Sequence, residues 1–187
     1  MRWLLAIGTV ALIAVLASGL VWWGSPRMAE GSVTGPGAGM TWANDGVTDT
    51  RLVARGRPVA TLTATFSLRN DGRLPFTVHG LDVSDTIAWF KKQQVTFVPG
   101  VSGFQDDTTR QTSVTLDPGQ ETTVLWSLDT ACQPTMAENS YMTIDALRFR
   151  VSWWGLTTTR DLPLDRPLTF VGDDKPQPLP GAECAGN

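Results

Sequence analysis

The sequence is poor in the side chains that build most metal and thiol sites. Its 187 residues include one histidine and two cysteines, whereas transition-metal sites gather several imidazole or thiolate ligands. It also has no basic block: 15 Lys and Arg are spread among 18 Asp and Glu, and the net charge is −3. Because nucleic-acid-binding proteins cluster cations against phosphates, we expect no nucleic-acid partner.

The usual signatures of an enzyme are also missing. His79 is the only imidazole, and no serine or cysteine lies in a nucleophile-elbow context. We therefore interpret His79 as a solvent-facing or bulge residue and predict no enzymatic activity and no cofactor. The carboxylate pairs Asp106-Asp107 and Asp173-Asp174 lack the alternating oxygen ligands of a calcium loop, so ion binding by such loops is kept only as an alternative function.

What the sequence does have is one long apolar run at its N-terminus. The residues from Trp3 to Trp23 carry no charge, and tryptophans stand at both ends. A helix of this length spans roughly 30 Å, the thickness of the hydrocarbon core of a bilayer, and indole rings favour the two interfaces. We predict a transmembrane anchor over residues 3–23 that contacts membrane lipid. A cleaved signal peptide, with a cleavage site near Ala17, is the alternative.

The flanking charges predict the orientation of this anchor. Arg2 and the amino terminus precede the run, and Arg27, which follows it, is balanced by Glu30. By the positive-inside rule, the N-terminus is expected in the cytoplasm and the remainder of the chain outside the cell membrane. In such an oxidising compartment Cys132 and Cys184 are expected to form a disulfide.

Composition divides the chain into four parts. Residues 1–23 are the predicted anchor, and residues 24–39, rich in Gly and Pro, are the predicted flexible stalk. Residues 40–172 are the predicted folded domain. Residues 173–187 form a Pro-rich tail that Cys184 would tie back to the domain.

Within the predicted domain, the hydrophobic pattern alternates with a period of two. Residues 60–68, ATLTATFSL, have apolar side chains on one face and hydroxyls on the other, which is typical of a strand with one buried face. Turns are predicted at Asn70-Asp71-Gly72, Asp117-Pro118-Gly119 and Gly155, and a bulge at His79-Gly80. Residues 167–171 are predicted as a short edge strand because of Pro167. The segment 84–93 could form one short helix.

These patterns predict an all-β fold, an antiparallel Ig-like β-sandwich of seven to eight strands preceded by one transmembrane helix. The segments LRNDGRLPFTVHGL and VTLDPGQETTVLWSLDTAC resemble bacterial Ig-like and fibronectin-III-like modules. LRFRVSWWGLTTTRDLPL resembles the closing hairpin of membrane-anchored extracytoplasmic proteins of actinobacteria. The resemblance covers residues 58–171 and implies a fold, but no specific function.

The candidate interaction face is on the last hairpin. If Leu147, Phe149, Val151 and Trp153 point inward, alternation places Trp154 on the outer face with Arg148 and Arg150. An exposed tryptophan beside two arginines is typical of a protein contact or a sugar-stacking surface. The sequence therefore predicts a non-enzymatic, membrane-tethered module that contacts an envelope or membrane protein. A glycan-binding or metal-ion-binding module is the alternative.

Overall fold

The structure, a computed structural model, shows ten β-strands in two sheets within the residues that it describes. It describes residues 15, 19, 24–44, 50–55, 61–82, 93–100, 110–129 and 140–172. The strands are β1 (Met28–Pro36), β2 (Met40–Asn44), β3 (Thr50–Arg55), β4 (Thr61–Asn70), β5 (Phe76–Leu81), β6 (Gln93–Pro99), β7 (Val114–Leu116), β8 (Glu121–Asp129), β9 (Tyr141–Trp153) and β10 (Leu156–Val171).

The two sheets share one hydrophobic core. One sheet has the order β1-β4-β8-β6 and the other the order β2-β3-β10-β9-β5-β7. The alternation predicted from the sequence places apolar side chains of both sheets in a single buried cluster, and the prediction of an all-β fold is confirmed. The largest of the fully buried side chains is Trp126, whose indole N–H donates a hydrogen bond to Gln93.

The topology differs from the purely antiparallel prediction in one pairing. Strand β3 runs parallel to β10, with Leu52 paired to Leu168, while every other described pairing of named strands is antiparallel. Residues 167–171, predicted as an edge strand, belong to β10 and lie between β3 and β9. The edge prediction, which rested on the missing N–H of Pro167, is therefore wrong. Pro163 and Pro167 fall where the register of β10 shifts against β9, so a central strand can accommodate them.

Residues 24–39, predicted as a flexible stalk, contain strand β1. The stalk prediction is therefore wrong for residues 28–36. Strand β1 pairs antiparallel with β4, with a register shift between Glu30 and Thr34. Its glycines permit close approach: a Cβ on Gly31 would lie 2.5 Å from Ser67 Oγ and still nearer to Glu121. Composition alone could not separate this use of glycine from flexibility. Together with β2 and β3, β1 raises the strand count above the seven or eight predicted.

A side-chain network secures β1 to the sheet. Glu121 accepts hydrogen bonds from the backbone N–H of Ser32 (2.5 Å) and from the Ser32 hydroxyl (2.9 Å). The Val33 N–H donates to Ser67 Oγ at 2.9 Å. Burial acts to raise the pKa of Glu121, but the hydrogen bonds from Ser67 and Ser32 and the charge of Arg69 outweigh it and lower that pKa.

Backbone geometry agrees with most of the predicted turns. Gly119 has φ of 77° after Pro118, and Gly155 has φ of 75°, as tight turns require. The bulge at His79-Gly80 is confirmed, since the register of β5 against β9 shifts between Val78 and Leu81 and Gly80 has φ of 98°. Gly72 is in a bend but is not among the residues with positive φ.

Several predictions concern residues outside the described ranges. These are most of the anchor over 3–23, the disulfide of Cys132 with Cys184, the helix over 84–93 up to residue 92, the carboxylate pairs at 106–107 and 173–174, and the tail over 173–187. Val15 and Gly19 are described, and both are helical and exposed. Among the described residues, no helical stretch has the length and apolarity that a bilayer crossing requires.

Candidate interaction face

The outer face of the six-stranded sheet is formed largely by β9 and its neighbours. Inward and outward side chains alternate along β9 as predicted: Leu147, Phe149, Val151 and Trp153 are buried. Arg148 and Arg150 therefore point away from the core, Arg148 being half-buried and Arg150 exposed. This alternation is confirmed from residue 147 to residue 153.

The two arginines differ in their partners. Arg148 makes a bidentate ion pair with Asp161 of the adjacent strand, with Nε–Oδ1 at 2.7 Å and Nη2–Oδ2 at 3.4 Å. Its charge is thus compensated within the sheet. Arg150 lies opposite Thr159, and within the described part of the chain no hydrogen bond or ion pair involves its guanidinium. Arg150 is consequently the better candidate for contact with another molecule.

A hydroxyl-rich patch continues this face toward β5 and β7. The Thr77 and Thr115 hydroxyls are 2.9 Å apart, and His79 Nε2 is 2.6 Å from the Ser152 hydroxyl. Ser152 was not singled out from the sequence; the β5–β9 register, which the sequence does not specify, brings it to His79. The pair is exposed on the sheet surface, and no carboxylate of the described residues is hydrogen-bonded to the imidazole.

Among the described strands, the N-terminal half of β10 has no backbone pairing on the side away from β9, although β1 packs against β10 and Glu30 accepts a hydrogen bond from the Asp165 N–H. Strand β3 pairs with β10 only from Leu168 to Val171, while residues 156–163 pair with β9 alone among the described strands. In an antiparallel hairpin closed by two residues, the N–H and C=O groups of alternate residues point away from the partner strand. Here those residues are Thr157, Thr159 and Asp161. The Arg160 guanidinium donates to the Thr159 carbonyl at 3.1 Å, so part of this edge is covered by the strand's own side chain.

Trp154 is placed differently from its prediction. Strand β9 ends at Trp153, and Trp154 is in a turn with φ of 49°. The strand alternation that predicted a shared face with Arg148 and Arg150 therefore does not extend to it. Its ring lies instead beside Gly24, where a Cβ would be 3.0 Å from Trp154 Cη2.

The described residues contain no metal site, and they bury one unpaired indole N–H. Within the described ranges, no group of three or more His, Cys, Asp and Glu residues is placed to hold a metal ion. The Trp153 indole N–H is buried and has no hydrogen-bond partner there, while the Arg160 guanidinium lies 5.9 Å from its ring centroid. Trp153 therefore belongs to the core and not to the outer face.

The chain was compared with protein families, curated proteins and solved structures. No family model matches it, and no curated protein matches it. Among solved structures, β-glucosidase 3B from Thermotoga neapolitana in complex with glucose is similar, with 13% sequence identity and a TM-score of 0.22. The similarity covers 76% of this chain and 17% of the glucosidase chain.

Proposed function

We propose that this chain is a non-enzymatic, membrane-tethered module with an Ig-like β-sandwich, which contacts another protein of the cell envelope. The apolar run from Trp3 to Trp23 is proposed to anchor it with the folded domain outside the cell membrane. Tethering raises the local concentration of the domain near membrane partners, so that a modest contact surface is sufficient.

The observation that supports the protein-contact function is that residues 156–163 of β10, beside Arg150, pair with β9 alone among the described strands. Backbone groups at Thr157, Thr159 and Asp161 can pair with a strand of the partner, which is recognition by strand addition. Arg150 lies opposite Thr159 on the outer face, where its guanidinium can meet a carboxylate or a carbonyl of that strand. Backbone pairing would supply affinity, and the arginine would supply specificity.

A proline on this edge tests the proposal. Thr159→Pro removes an N–H that points away from β9, so the β9–β10 ladder is retained while an added strand loses a hydrogen bond. A photocrosslinking residue at Thr157 in the full-length chain should capture a discrete membrane partner. We expect Thr159→Pro and Arg150→Ala each to reduce that capture at least severalfold.

The matched control is Gln94, an exposed residue of the other sheet. A crosslinker at Gln94 should not capture the same partner, and Gln94→Ala should not reduce the capture obtained from residue 157. Equal capture by the Thr159→Pro variant would exclude strand addition. If cell-wall fragments or divalent ions raised the melting temperature instead, the alternative ligand-binding function would replace the proposed one.

A further inference from the structure

One end of the described domain brings together the segment that precedes β1 and three turns. We call it the hairpin end; it comprises residues 24–27, 71–75, 117–120 and 154–155. The Asp71 N–H donates to the Arg27 carbonyl at 2.9 Å, and the Gly119 N–H donates to the Asn70 carbonyl at 2.8 Å. These bonds fix the start of the described domain against the turns.

The side chains of Trp154 and Leu74 lie against Gly24, where the described domain begins. A Cβ on Gly24 would lie 2.8 Å from Leu74 Cδ1 and 3.0 Å from Trp154 Cη2. Gly24 directly follows the apolar run, which ends at Trp23. The Trp154 ring therefore lies beside the residue that is covalently bonded to the end of the run.

The side chains at this hairpin tip are apolar and exposed. Trp154 is 60% exposed and Leu156 is 50% exposed. The first central position of such a turn usually holds Asn, Asp or Gly because φ is positive, yet here it holds a tryptophan with φ of 49°. A strained residue of this kind points to a function that needs its side chain at that place.

From these contacts we propose that Trp154 and Leu156 sit in the outer interface of the bilayer, beside the anchor. This inference rests on the proposed anchoring of residues 3–23. An indole ring favours the zone between the headgroups and the acyl chains, and the end of a spanning helix is in that zone. Trp154 thus joins Trp22 and Trp23 as an interfacial residue, although it is distant from them in sequence.

The charges of the hairpin end argue for an apolar contact and not an electrostatic one. Among the residues of the hairpin end, the positive charges of Arg27 and Arg73 are balanced by the negative charges of Asp71 and Asp117. Binding through anionic lipid would need an excess of cations. Zwitterionic phosphatidylcholine is therefore sufficient for the contact, and added salt should not release it.

The opposite end of β9 provides a control on the same strand. Tyr141 is 74% exposed and begins β9, whereas Trp153 ends it. Thirteen strand residues span about 40 Å, so Tyr141 should remain in water when the hairpin tip is in the interface.

Spin labels in the full-length protein test this arrangement. Leu156→Cys and Tyr141→Cys are labelled with a nitroxide and reconstituted in phosphatidylcholine nanodiscs, and collision rates with oxygen and with a water-soluble nickel chelate are compared. The chain without an introduced cysteine is treated identically to correct for Cys132 and Cys184. We expect oxygen to dominate at position 156, nickel to dominate at position 141, and Trp154→Asn to shift position 156 toward nickel.

The outcomes separate this inference from the proposed function. If alkaline carbonate releases the protein from membranes, the anchor itself is wrong. If the protein stays bound but nickel dominates at position 156, the tip is in water and the inference is overturned. If neither reagent reaches position 156, the tip is covered by protein, and a protein contact at this end replaces the lipid contact.

Discussion

At the scale of single residues, Asn70 connects separate backbone segments through its side-chain amide. Its side chain is fully buried; Nδ2 donates to the Leu74 carbonyl (3.0 Å) and the Leu116 carbonyl (2.9 Å), and Oδ1 accepts from the Gly72 N–H (2.8 Å). One amide thus joins the turn between β4 and β5 to the end of β7. The sequence suggests Asn70 for its tolerance of positive φ, but the structure uses its capacity for hydrogen bonding.

We expect Asn70→Ala to lower the free energy of unfolding by about 3 kcal/mol, since one buried and two partly buried backbone groups lose a hydrogen bond. Asn70→Asp should be at least as destabilising at neutral pH, because a carboxylate oxygen would face two carbonyls. Denaturant unfolding followed by near-ultraviolet circular dichroism measures both variants. Gln94→Ala, which removes an exposed amide, should change stability by less than about 0.5 kcal/mol.

The adjacent residues Trp153 and Trp154 should respond in opposite ways to truncation. Trp153 is 8% exposed and packed in the core, so Trp153→Ala should cost about 3–5 kcal/mol. Trp154→Asn loses a partly exposed ring but relieves a positive φ, so its net effect should stay within about 1 kcal/mol. The same unfolding measurement compares the two variants. A large loss for Trp154→Asn would show that its contact with Gly24 and Leu74 is part of the core.

At the scale of elements, strand β1 depends on one carboxylate. Glu121 has a lowered pKa in the folded chain, so its ionised form is the one that the fold stabilises. The stabilisation is complete above the ordinary pKa of about 4.5 and is lost as the pH falls through the lower folded pKa. Below that range the Ser32 N–H and hydroxyl lose their charged acceptor.

This linkage predicts a pH-dependent difference between wild type and Glu121→Gln. We expect the melting temperature of the wild type to fall more steeply than that of the variant as the pH falls below about 4.5. Asp71, whose pKa is lowered by its hydrogen bond with Arg69, contributes in the same direction, but it is present in both chains and cancels in the difference. Parallel curves would contradict the role assigned to Glu121.

At the scale of the whole molecule, the sequence predicts the strands with clear alternation but not their partners. Residues 60–68 show the apolar period, and β4 follows it from Leu62 to Leu68. Ser67, predicted on the wet face, is buried because β1 lies against it through Gly31. The strands from residue 28 to residue 55 carry little alternation, so they could be found only from their pairing.

For the candidate face, too, the sequence predicts the direction of side chains but not their contacts. The outward direction of Arg148 and Arg150 follows from alternation, and that part of the prediction is confirmed. Three features depend on the pairing of distant segments or on backbone dihedrals: the ion pair of Arg148 with Asp161, the contact of Ser152 with His79, and the turn at Trp154. A local pattern carries no information about these.

The parallel pairing of β3 with β10 has a consequence for biogenesis. Leu52 emerges from the ribosome or a translocation pore 116 residues before its partner Leu168. Until then the β2–β3 hairpin has no third strand, and such non-local closure is slow compared with hairpin formation. The six-stranded sheet is therefore completed only after synthesis reaches β10, and a truncation before residue 168 would leave an aggregation-prone edge on β3.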